Sequence, residues 1–168
     1  MTDKDKRHQD RFRGTGAGRG GGFAPMDDTD EDSCSAFGYL RGIREKADCL
    51  EVRFKSGNST WLPYNWFGSW KFDPSHGLLL KFSGDVVYLV LVTGSNLDRP
   101  LLDTTTNLTT SGLQRRRIVW IREMTEEEIR QVGESGPTID SIHILEFESA
   151  TELNKWLEEN APFFLPEH

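Results

Sequence analysis

The stretch Gly16-Ala17-Gly18-Arg19-Gly20-Gly21 has the glycine spacing of a phosphate-binding loop. In that chemistry a buried strand delivers the chain to a tight turn, and the following helix points its free amides at the phosphates. Arg11-Phe12-Arg13 has no strand pattern, and Gly20-Gly21-Gly22-Phe23-Ala24-Pro25 is no helix, so the glycines read as a tail. The carboxylates of Asp28-Thr29-Asp30-Glu31-Asp32 imitate the start of a calcium loop. The sixth position is Ser33 where the turn needs glycine, and the twelfth is Tyr39 where a bidentate glutamate is needed.

Nucleophile and metal chemistry find no better footing. His8 and His168 are terminal, and His76 sits in a turn sequence. His143, between Ile142 and Ile144, is expected on the opposite, solvent face of a strand. Asp140-Ser141-Ile142-His143 holds the residue types of a hydrolytic triad, but neighbours in one strand do not converge as a triad does. Cys34 and Cys49 lack the close pairing of a zinc site. No catalytic, metal or cofactor constellation is read, and a binding function is expected.

Two features suit binding. Trp61, Tyr64, Trp66, Phe67, Trp70 and Phe72 are more rings than one face of one strand can bury, so part of the set is expected at a rim. Tyr64, Trp66 and Trp70 have the even spacing that shares a face in extended chain and form the expected partner-binding surface. The other feature is basic: Arg11, Arg13 and Arg19 among glycines, and the run Arg115, Arg116, Arg117. With Arg53, Lys71 and Lys81 that run could face phosphates from one side of a sheet, as in single-strand-binding barrels.

The elements that must carry these residues follow from periodicity. Leu50, Val52 and Phe54 alternate with charged residues as in a half-buried strand, and Ser56-Gly57-Asn58 turns the chain into Thr60-Trp61-Leu62. Trp66–Phe72 and Leu78–Phe82 read as further strands, and Val86–Thr93, apolar on both faces, as a central covered one. After a polar loop at 98–110 and a helical turn near 111–116 comes a strand at Ile118–Ile121. Thr125-Glu126-Glu127-Glu128 and Ser149-Ala150-Thr151-Glu152 are capping boxes, opening helices at 126–132 and up to about Glu159, with a strand at 139–147 between them.

The expected architecture is therefore α+β. An antiparallel sheet, with closure into a barrel left open, carries a short helix and a C-terminal helix over residues 37–168. A disordered leader, basic and glycine-rich and then acidic, is expected over 1–36. Of the 168 residues, 20 are Lys or Arg and 27 Asp or Glu, a net charge of −7 that disfavours a protein coating nucleic acid throughout. The first residues lack the apolar run of a secretory signal, and no stretch approaches the roughly 18 apolar residues of a membrane span. With two cysteines, the expectation is a cytoplasmic chain without a membrane, whose function is non-catalytic protein interaction through the aromatic surface. Single-stranded nucleic-acid binding through the arginines is the alternative. The oligomeric state is not legible.

Overall fold

The computed structural model describes residues 31–167; residues 1–30 of the leader expected at 1–36 lie outside the described residues, whereas Glu31–Ser33 forms a strand and Ala36 is buried in the core. In chain order the strands are β1 (Glu31–Ser33), β2 (Phe37–Leu40), β3 (Cys49–Arg53), β4 (Ser59–Pro63), β5 (Phe67–Asp73), β6 (Gly77–Ser83), β7 (Val87–Ser95), β8 (Ile118–Arg122) and β9 (Thr138–Phe147). Two helices, α1 (Glu126–Val132) and α2 (Ala150–Asn160), flank β9 in sequence.

These strands form two open sheets rather than one sheet or a barrel. The first has the order β1-β2-β8-β3-β4 and the second β5-β6-β7-β9. The second sheet is antiparallel throughout, as alternating hairpins require. In the first sheet β3 lies parallel to β8, because the chain builds β4 to β7 before it returns. The expected strands exist; their division between two sheets is the new feature. Sequence spacing specifies elements but not which edges pair.

Alternation decides the layers. Leu50, Val52, Leu62, Ile118 and Ile121 of the first sheet meet Leu78, Leu80, Phe82, Val90, Val92 and Ile142 of the second in one buried core. The other face of the second sheet offers Leu79, Val87 and Leu89 to Leu153, Leu157, Ala161 and Phe164 of the C-terminal helix and the segment after it. Thus β7 is covered on both sides, as its unbroken apolar run predicts. Burial of each such leucine or valine contributes roughly 1.5–3 kcal/mol. At Gly94 the irregular pairing with β9 brings a backbone so close that a Cβ would stand 1.9 Å from the Thr138 carbonyl oxygen.

The caps close largely as the sequence predicts. Thr125 Oγ1 accepts from Glu128 N at 3.2 Å, and Thr125 N donates back to Glu128 Oε2 at 3.1 Å. At α2, Ser149 Oγ accepts from Glu152 N, but the Glu152 carboxylate takes the amide of Glu148 rather than that of Ser149. None of the described helices is long and apolar enough to cross a membrane.

Candidate partner-binding site

Residues 59–73 run from the free edge of one sheet to the free edge of the other. β4 ends the first sheet and β5 begins the second, with the 3-10 turn Tyr64–Trp66 between them. Among the described residues, then, this stretch carries an unpaired edge of each sheet, the feature that invites another strand. Pro63, with φ fixed at −62° and no N–H to give, closes β4. The chain then turns inward at Tyr64.

Tyr64 is 1% exposed and serves as an anchor. Its hydroxyl donates to the Ile118 carbonyl at 2.6 Å, and its amide donates to Asp48 O at 2.8 Å. Its ring meets Phe67 edge-on, with centroids 6.0 Å apart. Burial pushes the phenol pKa well above the usual tyrosine range, so the group stays a neutral donor.

Trp66 and Trp70 are half-buried and packed against the inter-sheet core. The Trp66 indole lies parallel to the Tyr88 ring at 6.1 Å, and it covers Gly84 so closely that a Cβ there would stand 2.6 Å from the indole. Trp70 pairs with Leu80, so it shares the interior face with Phe72, which pairs with Leu78. Trp61 is opposite Glu51 on β3 and points outward because Leu62 takes the inward position; it is 60% exposed.

The expectation that Tyr64, Trp66 and Trp70 share one strand face is therefore corrected. Even spacing shares a face only in extended chain, and Tyr64 and Trp66 sit in a turn of three residues per revolution. Tyr64 presents no surface at all. The exposed ring that was missed is Trp61, and the signal was present in Thr60-Trp61-Leu62, where a buried leucine forces its neighbour outward.

The opposite face of β5 is polar. Ser69 and Lys71, with Leu79 and Lys81 of β6, line a groove of about 380 Å³ closed on its far side by Leu157 and Phe164. The Lys71 amine donates to the Phe164 carbonyl. The amine of half-buried Lys81 has neither a hydrogen bond nor an ion pair among the described residues. The segment Pro162–Phe164 is pinned a second time by Phe163, whose ring stacks on His76 at 3.7 Å. His76 Nδ1 in turn lies 3.1 Å from Asp73 Oδ1. The Ser75 amide, and then His76, hold the Asp73 carboxyl below the usual aspartate range.

The basic residues separate. Arg11, Arg13 and Arg19 lie outside the described residues. Arg115 is exposed at the end of a 3-10 turn, and Arg116 adopts a left-handed backbone with φ 55°. Arg117 is buried, with three of its guanidinium N–H groups donated to backbone carbonyls. Arg53 belongs to the first sheet, paired with Glu51 at 2.8 Å and lying 4.5 Å over the Trp120 ring, whereas Lys71 and Lys81 belong to the second. These residues therefore do not share one side of one sheet, because Arg53 lies on the first sheet, Lys71 and Lys81 lie on the second, and Arg117 is turned inward.

His143 is exposed on β9, as the flanking isoleucines predict, and neither it nor His76 lines the groove. Among the described residues no group of three or more His, Cys, Asp or Glu could hold a metal ion. Comparison of the chain with protein-family models, with curated proteins and with solved structures finds no match.

Proposed function

We propose that the domain is a non-catalytic protein-interaction module that receives an extended partner segment along the free edge of β5, with Trp61, Trp66 and Trp70 forming its aromatic rim. One observation carries this reading: an unpaired edge of each sheet is supplied by the single stretch 59–73, which also holds three of the tryptophans. Main-chain hydrogen bonds to such an edge give affinity, and the alternation of side chains gives specificity. Along β5, Trp70 and Phe72 face the sandwich rim while Ser69 and Lys71 face the groove. A strand beside β5 would direct its own side chains alternately to rings and to the amines of Lys71 and Lys81. The partner segment that fits alternates apolar and acidic residues.

Selection of a phage-displayed random peptide library on the full chain tests this. Enriched peptides should alternate apolar with acidic residues, and their binding should weaken with Trp61→Ser and with Lys71→Glu, neither of which removes a core side chain. Peptides without alternation, or binding untouched by both substitutions, would refute the edge as the site.

A further inference from the structure

We infer that the cavity between the end of β2 and the threonine-rich loop is a binding site for a small oxyanion of the phosphate monoester or carboxylate class. Its central residue is Arg117, only 6% exposed. The guanidinium donates from Nε to Leu40 O at 2.9 Å, from Nη1 to Ser111 O at 3.3 Å and from Nη2 to Arg41 O at 3.1 Å. A guanidinium has five N–H donors, so these three bonds leave two without an acceptor. Among the described residues no carboxylate pairs with it. Buried charges are ordinarily paired directly with a counter-charge, and here the bonded partners are carbonyl groups.

Arg117 lines an open cavity of about 580 Å³ together with Arg41, Thr104, Thr105 and Thr106. The hydroxyls of Thr105 and Thr106 make no hydrogen bond among the described residues, whereas that of Thr104 is engaged with Leu101 O and Thr106 N. Asp103 also lines the cavity and is its opposing charge, and Arg41 lies 3.5 Å from Asp32. Two guanidinium groups and one carboxylate line the cavity, and Asp32 beside Arg41 offsets the more exposed of the two cations.

The wall is braced before any ligand arrives. Leu97, Leu108 and Leu113 are buried, Leu101 N donates to Thr106 O at 2.8 Å, and the Asn107 side chain bonds Asp98 O, Thr110 and Ser111. Ile43, 74% exposed, lines the same cavity and offers an apolar surface to whatever carries the oxyanion. An aromatic or aliphatic group bearing one phosphate or carboxylate fits this combination, since forked donors match both anions.

The test is an amide chemical-shift titration of the full chain with inorganic phosphate, phenyl phosphate and benzoate, at constant ionic strength set by sodium chloride. Saturable shifts at Arg41 and Thr104–Thr106 are expected with at least one probe. Phenyl phosphate against benzoate tells the two anions apart, and phenyl phosphate against inorganic phosphate reads the contribution of Ile43. Arg41→Ala should weaken binding about tenfold, the loss of a charge-assisted hydrogen bond. Thr105→Val should weaken it less, and Arg115→Ala should leave it unchanged. Arg117→Lys, if folded, should abolish it. Absence of saturation with all three probes at concentrations on the order of 10 mM, far above weak specific affinity, would overturn the inference. So would binding unaffected by both Arg41→Ala and Thr105→Val.

Discussion

Replacing Tyr64 with phenylalanine removes one oxygen and separates a structural role from a contact role. The hydroxyl is 2.6 Å from the Ile118 carbonyl in a residue that is 1% exposed, so water cannot take its place. The ring, edge-on to Phe67, stays where it is. The net loss for such a hydrogen bond is about 1 kcal/mol, rising to about 3 kcal/mol if the carbonyl is left without a donor. In a domain of this size that lowers Tm by about 3 °C per kcal/mol. Tyr64→Ala also empties the ring's volume and should cost about 3–5 kcal/mol. Urea unfolding followed by tryptophan fluorescence reads both values, and affinity for a selected peptide is measured on the same Tyr64→Phe protein. Reduced stability with unchanged affinity is expected. Unchanged stability with lost affinity would refute the buried placement and restore Tyr64 as a contact.

Further outcomes follow from named contacts. The side chain of Arg122, 3.1 Å away, and then the Thr125 amide hold the Glu128 carboxyl below the usual glutamate range. A depressed folded pKa means that this contribution is present above the unfolded value and fades as pH falls through the folded one. Arg122→Gln should raise the carboxyl's titration midpoint in an NMR pH series, and an unmoved midpoint would count against the pair. Gly84→Val should drive the Trp66 indole off Tyr88 and shift its emission toward the red, since a Cβ there has no room. Leu157→Ala should cost about 2–5 kcal/mol by opening the helix-to-sheet core, measured by denaturant unfolding.

Much of the fold is legible because each layer has its own period. Leu50, Val52 and Leu62 alternate with half-buried or exposed residues, Val87–Thr93 is apolar on both faces, and β7 is the strand covered on both sides. The Thr125 cap is local chemistry and closes as read. The corner at Pro63–Trp66 was not legible. An aromatic run reads as strand by propensity, yet the Tyr64 hydroxyl reaches the Ile118 carbonyl, 54 residues away in sequence, a contact that no local pattern encodes. Arg117 misled for a related reason. Three adjacent arginines read as one run that could face phosphates, whereas the carbonyls of Leu40 and Arg41 that draw Arg117 inward belong to a distant strand end. The candidate edge itself depends on strand order, which no periodicity encodes.

Photo-crosslinking of the full chain with benzoylphenylalanine in place of Trp61 tests edge binding most directly, with Glu127 on the exposed surface of α1 as the control position. Irradiation with a selected alternating peptide should give a covalent adduct from position 61 and none from 127. Adducts from both positions alike, or from 127 alone, would contradict the placement of the partner along the 59–73 edge.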